Sequence, residues 1–262
     1  MAIVGVIGGS GLYEIQGLTL KHKEKIKTPY GDPSEHYFIG EFGSQEIIFL
    51  PRHGRNHNIP PHMINYRANI WGFKKLGVQR IVSVNAVGGI RKGLKPRDVV
   101  LLDQVMDMTR TRESTFYDGK KGVVHIDFTE PYCPEMRKVL LKAGKLSKVH
   151  LKNGGTYVAV EGPRLESASE IKSFGILGGD VVGMTGMPEA SLARELEMCY
   201  SGLSVVANYA AGISKEKLTV PEVMEAMTIA TEKIKRLFRA AIPIIPDRRK
   251  CPCREALKDA AV

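Results

Sequence analysis

The sequence has no apolar run near the roughly 18 residues that span a bilayer. Its opening segment, MAIVGVIGGSG, has neither the basic stretch nor the cleavage signal of a secretory leader. Both absences lead to the expectation of a cytoplasmic protein. No Ser/Gly/Pro-rich linker and no internal repeat interrupts the 262 residues, so one domain is expected over 1–262, with a C-terminal extension from about 247. Cysteine is scarce: Cys133, Cys199, Cys251 and Cys253 are the only four. Cys251-Pro-Cys253 is too close for half a zinc ribbon, which needs two or more intervening residues and a second pair. Cys133 and Cys199 stand near apolar segments and read as core thiols.

Acidic residues are in deficit, 28 Asp+Glu against 38 Lys+Arg, for a net charge of +10. That excess suggests nucleic acid. The basic residues, however, alternate with apolar or acidic ones over 21–27, 138–152 and 248–258, and no aromatics are interleaved for base stacking. A solvated basic surface is the plain reading, and a small anionic substrate is the alternative. Hydrophobic residues at 43% and charged residues at 25% exclude a disordered, collagen-like or low-complexity chain.

What is present is an alternation of short β-rich apolar runs with helical patterns. The runs begin at Ile3, Ile47, Arg80, Val99, Thr156, Asp180 and Leu203, and such near-continuous hydrophobic strands are buried on both faces. Ser167-Ala-Ser-Glu170 and Thr219-Val-Pro-Glu222 read as capping boxes, the second opening a long amphipathic helix to about Ala241. Pro188-Glu189 starts another helix, expected to end near Cys199. The architecture is α/β: a mixed central sheet flanked by helices.

In such folds ligands sit beyond the carboxyl ends of strands. Glycine-rich and polar residues gather there: Gly8-Gly9-Ser10-Gly11, Arg52-His53-Gly54, Asn85-Ala86-Val87-Gly88-Gly89, Met184-Thr185-Gly186 and Asn208-Tyr209-Ala210. Five strand ends on one rim make a composite site. The first turn suits an anion through backbone N–H groups and the Ser10 hydroxyl, or is simply a tight turn. It fails as a dinucleotide fingerprint, because Glu14 stands where the third glycine belongs and no acid ends the second strand. That disfavours a nucleotide-binding oxidoreductase. Arg52 follows a buried strand with no acid near it in sequence, so a phosphate is expected to take its guanidinium bidentately. His53, His57 and His62 do not make a metal set, since Gly54 and Pro60-Pro61 break the helix their spacing needs. Asn85-Ala86 and Thr185 repeat the anion turn, Thr185 either capping the Pro188 helix or meeting phosphate at its positive end. Glu166 reads as an exposed acid beside a helix start. Asn208 ends an apolar strand with an amide that both donates and accepts, as a planar heterocycle demands.

At these residues the chain resembles the purine nucleoside phosphorylase family, in its trimer-forming branch that includes the 5'-methylthioadenosine phosphorylases. The resemblance runs through GGSGLY, PRHGRNH, NAVGG, TFYDG, HIDFTEPYCPE, EGPR and GMTGMPEASLARELEMCY to the helix after Thr219, nearly the whole chain. It implies phosphorolysis of a purine nucleoside to a free base and a pentose 1-phosphate, with no metal or organic cofactor. By resemblance Ser10, Arg52, His53, Asn85, Ala86 and Thr185 hold phosphate, Met184 lies beside the ribose, and His53 and Asn208 are catalytic. Leu165, Glu166, Asn208, Tyr209 and Ala210 belong to the substrate site. The adenosine-specific branch carries Asp at the positions of Asn208 and Ala210 and a small hydroxyl residue at that of Glu166. Glu166 with Asn208 is the pair of the 6-oxopurine enzymes. Val220 stands where animal 6-oxopurine enzymes place a His for the 5'-hydroxyl, and an apolar side chain there suits a methylthio group. S-methyl-5'-thioinosine, inosine and guanosine are the expected substrates, with 5'-methylthioadenosine the closest rival. His125 matches a residue that reaches a neighbouring subunit's site, implying a homotrimer or a dimer of trimers. The resemblance also implies Cys133–Cys199 and Cys251–Cys253 disulfides, bonds that in the cytosol are found chiefly in hyperthermophiles.

Overall fold

The computed structural model describes residues 2–9, 15–119, 122–214 and 220–261, and only the backbone of 220–224. Among these residues an eleven-stranded mixed sheet carries helices on its flanks. Its central strands are β1 (Val4–Gly8), β4 (Gln45–Pro51) and β5 (Arg80–Gly89), with β4 and β5 both parallel to β1. β1 is buried along its length and β4 nearly so, as their unbroken apolar runs require. Outward from β4 lie β3 (Tyr37–Phe42) and β2 (Leu18–Glu24), joined antiparallel. β2 is an exposed edge whose lysines blunt further pairing, and its charge hid it from a search for apolar runs.

β5 organises the rest. One of its edges pairs with β1 up to Ser83 and then, antiparallel, with β10 (Val181–Gly183) from Gly88. The interval Val84–Val87 lies between those two ladders, and Ala86 is the exposed residue of an otherwise buried strand. The other edge runs parallel to β11 (Cys199–Tyr209) for its whole length. β11 in turn meets β6 (Val99–Leu101), which pairs with β8 (Leu151–Asn153). β7 (Gln104–Asp107) and β9 (Thr156–Ala159) extend the sheet beyond β10.

The helices are α1 (Tyr66–Lys75), α2 (Pro134–Leu146), α3 (Ala168–Ile176), α4 (Glu189–Glu195) and α5 (Val220–Ala241). The Ser167/Glu170 capping box forms in full. α5 spans the range its pattern gave, while its cap residue Thr219 lies outside the described residues. α4 stops at Glu195 rather than near Cys199, because Glu197 turns at φ 56° and Cys199 already belongs to β11. No helix among the described residues is long and apolar enough to cross a membrane.

Candidate active site

The gap between the two ladders of β5 opens into a cleft of about 350 Å³. It is lined by Gly9, Arg52, His53, Ala86, Met184 and Thr185 at one end and by Leu165, Glu166 and Asn208 at the other. A second, adjoining cavity of about 570 Å³ shares Leu165, Glu166 and Asn208 and continues past Tyr209 and Ala210 to Arg97 and Glu225. Residues from four strand ends therefore meet here, as the rim argument expected. Ser10 lies outside the described residues, as does the side chain of Val220.

Arg52 follows β4 as expected, yet its partner is not left to a ligand. Its Nε and Nη2 donate to the two oxygens of Glu189, at 2.5 and 3.0 Å, from the first turn of α4. Nη2 also donates to Ser83 Oγ (2.7 Å) and Nη1 to the Val84 carbonyl (3.1 Å). Four of the five guanidinium N–H groups are thus engaged inside the protein. The bidentate place that the sequence assigned to phosphate is filled by a carboxylate 137 residues away. Glu189 is fully buried and accepts a further bond from Tyr200 Oη (2.8 Å). Burial works against the Arg52 cation, and the Glu189 carboxylate outweighs it, holding the guanidinium above its ordinary range.

Asn85 sits inside β5 rather than after it, where the strand's edge changes partner. Its Oδ1 accepts from Thr185 Oγ1 (3.0 Å), and its buried Nδ2 has no hydrogen-bond partner among the described residues. Such a donor is costly unless a ligand takes it. Thr185 follows β10, but it does not cap α4: Pro188 stands at the cap without a side-chain bond. The backbone N–H groups of Thr185 and Gly186 both donate to Tyr157 Oη (3.1 and 3.2 Å), so the hydroxyl of Thr185, not an open turn, is what faces the cleft. His53 is half-buried; its Nδ1 donates to the Ile59 carbonyl (2.9 Å). Burial, helped by the Arg52 charge, pushes its pKa down to about 4. The ring is neutral at pH 7, and Nε2 is left as an acceptor. The His57 ring stacks on it, with centroids 4.4 Å apart.

At the other end Glu166 is half-buried rather than exposed, and its Oε1 is buried without a partner among the described residues. Burial, partly offset by the residue's own backbone N–H, raises its pKa. Asn208 lies where the β5–β11 register shifts, an irregularity that re-aims side chains. Its Nδ2 donates to the Tyr209 carbonyl (2.7 Å). Ala210 is buried behind it, whereas Leu165 is 65% exposed, an apolar flap at the mouth. The Met184 carbonyl accepts from Tyr66 Oη (3.3 Å). His125 is exposed and lines neither cavity, so within one chain it stands apart from the cleft.

Sequence reasoning missed Glu189 as a site residue and took it only as a dipole complement. Ser83, Tyr157 and Tyr200 were also missed, being unremarkable members of buried strands. Met227, Thr231 and Ile234 line the cleft from α5; their helical spacing was a readable signal of one shared face.

One end of the cleft thus gathers groups suited to an anion, and the other a carboxylate and an amide suited to a planar heterocycle. The profile of the Phosphorylase superfamily matches residues 3–243. The chain is 52% identical to the 6-oxopurine nucleoside phosphorylase of Pyrococcus furiosus, with 99% of each chain covered. It is 50% identical to a Thermodesulfovibrio yellowstonii protein named "probable S-methyl-5'-thioinosine phosphorylase", covering 98% of this chain and 97% of that one. The crystal structure of a methylthioadenosine phosphorylase from an antarctic soil metagenomic library superposes with a TM-score of 0.94 at 36% identity, covering 100% of this chain and 92% of the other. The chain belongs to the phosphorylase superfamily and is an enzyme of its purine nucleoside phosphorylase type.

Proposed function

We propose that the protein cleaves 6-oxopurine nucleosides, S-methyl-5'-thioinosine, inosine and guanosine, with inorganic phosphate. The products are the free purine and a (methylthio)ribose 1-phosphate. The observation that carries this reading is the pair at the cleft's heterocycle end: a half-buried carboxylate oxygen of Glu166 with no partner, beside the Asn208 amide. A buried acceptor of that kind calls for an N–H donor, which N1 of a 6-oxopurine supplies and N1 of an adenine does not. The Asn208 amide turns from Tyr209 to donate at N7 or O6.

Phosphate lies at the opposite end, met by Asn85 Nδ2, the Thr185 hydroxyl, the remaining Arg52 N–H, the Ala86 backbone and Ser10. His53 accepts from a phosphate or sugar hydroxyl through Nε2. As the C1'–N9 bond breaks, its electron pair goes to the purine and the sugar becomes oxocarbenium-like. A phosphate oxygen then forms the new bond to C1'. Asn208 stabilises the charge on the departing base, and Glu166 holds the 6-oxo tautomer in place. Met184, Leu165, Tyr209, Ala210 and Val220 shape the sugar and base pocket. The chemistry calls for no cofactor beyond the phosphate co-substrate. The chain acts as one domain, in a cytoplasmic homotrimer or dimer of trimers, with His125 reaching the neighbouring cleft.

Base release is measured from inosine, guanosine, methylthioinosine, adenosine and methylthioadenosine, with and without phosphate. Phosphate-dependent release from the 6-oxo substrates is expected. Release without phosphate, or preference for adenine nucleosides, overturns the reading and favours the methylthioadenosine rival.

A further inference from the structure

The four cysteines, distant in sequence, converge. Cys133 caps the start of α2, Cys199 opens β11, and Cys251 and Cys253 flank Pro252 in the tail beyond α5. Their four Sγ atoms all lie within 4.8 Å of one another. Each cysteine is at most 5% exposed, and all sit in the apolar cluster that includes Met136, Leu140 and Ile245. All four are free thiols. The contact of 3.3 Å is between Cys199 and Cys251, which joins the tail to the core instead of completing either pairing implied by the resemblance.

We infer that these four thiolates form a structural site for a thiophilic divalent ion of the zinc class. Tetrahedral coordination at a Zn–S distance of about 2.3 Å places sulfurs about 3.8 Å apart. The observed cluster brackets that separation, so small side-chain adjustments complete the shell. The sequence argument against such a site was the close spacing of Cys251 and Cys253 and the lack of a second pair; the fold supplies the second pair from two other segments. Binding balances as one M²⁺ displacing four S–H protons to solvent, leaving a net charge of −2 on the tetrathiolate.

The surroundings suit that charge. Arg80 is the ladder partner of Cys199, is fully buried, and has no hydrogen bond from any guanidinium nitrogen among the described residues. Its ion pair with Glu135 is long, at 3.8 Å. A buried cation so poorly compensated gains from an anionic cluster on the neighbouring strand. The Met136 N–H also donates to Cys133 Sγ (3.5 Å), as second-layer donors do around metal-bound sulfur. The site would clamp the tail. That tail ends by accepting the His125 N–H at the Ala260 carbonyl (2.8 Å) and pairing Ala261 with Val124.

The test is metal analysis of the intact protein purified under reducing conditions without chelator. About one zinc ion per chain is expected. Cobalt(II) added to the demetallated chain should give thiolate-to-metal charge-transfer absorption and tetrahedral visible bands. Cys253→Ser should lose both the zinc and the cobalt spectrum. Demetallated wild type should show faster hydrogen exchange at the His125 amide. A chain that holds no metal and takes up neither zinc nor cobalt overturns the inference, whether its mass shows two disulfides or four thiols.

Discussion

The two ends of the cleft are built on opposite terms. At the end proposed to take phosphate most polar groups already have a protein partner, Arg52 with Glu189, Glu189 with Tyr200, Thr185 with Asn85 and Tyr157, with Asn85 Nδ2 the exception among the described residues. At the end proposed to take the purine, among the described residues, Glu166 keeps a buried oxygen unpaired and the Asn208 amide donates to its own neighbour Tyr209. A nearly saturated network is rigid and leaves few free donors, here Asn85 Nδ2, so it fixes where an anion can sit. An unsatisfied acceptor does the reverse: it waits for one kind of ligand and penalises others. On the proposed function, the first end sets the reaction and the second selects the substrate.

The sharpest way to break that contrast is Glu189→Ala, which strands the buried Arg52 charge. A loss of about 3–5 kcal/mol in unfolding free energy is expected, measured by denaturant titration. Unchanged stability would mean that the network is not what holds this end together. Glu166→Gln should do the opposite, leaving melting unchanged or raised at neutral pH while kcat/KM for inosine falls about 10- to 100-fold. The sign follows from linkage. The Glu166 pKa is raised by burial, so its ionisation costs stability as pH rises through the carboxylate range. Asn208→Asp should move preference toward 6-amino bases, read as the ratio of adenosine to inosine turnover. If the variant still rejects adenosine while cleaving inosine, selection rests elsewhere.

Three smaller effects concern protons and the helix beside Glu166. Protonated Glu166 accepts N1–H only through a neutral carbonyl and loses the stronger charge-assisted bond, so kcat/KM for inosine should drop on the acid side at a pH above the ordinary carboxylate range, and Glu166→Gln should abolish that limb. His53 should titrate near pH 4 by ring NMR. Its depressed pKa also means that stability falls as pH drops from about 6.5 toward 4, where the unfolded chain binds the proton more readily. Ser167→Ala removes the capping box of α3 at a cost of about 1 kcal/mol, measured as a modest drop in Tm.

Much of this was legible in the residues. Apolar runs located the central strands because a sheet buried on both faces must be apolar throughout. The Ser167/Glu170 box and the α5 pattern were read correctly because capping and amphipathicity are local. β2 was not legible, since an edge strand carries the charge of a loop. Asn85 was misplaced beyond its strand because its amide and the glycines after it look like a turn, whereas β5 continues by exchanging β1 for β10.

The sequence by itself determined the α/β class and the glycine- and amide-bearing segments at the rim, which depend on residue type and short-range spacing, while the pairing of Glu166 with Asn208 came from the family resemblance. Only the tertiary structure decided that Glu189 occupies the Arg52 fork and that Glu166 is half-buried. It alone brought four cysteines from three segments together. Those outcomes depend on which distant segments pack into the same low-dielectric volume, where a charge or thiol must find a partner, and sequence separation carries no information about that.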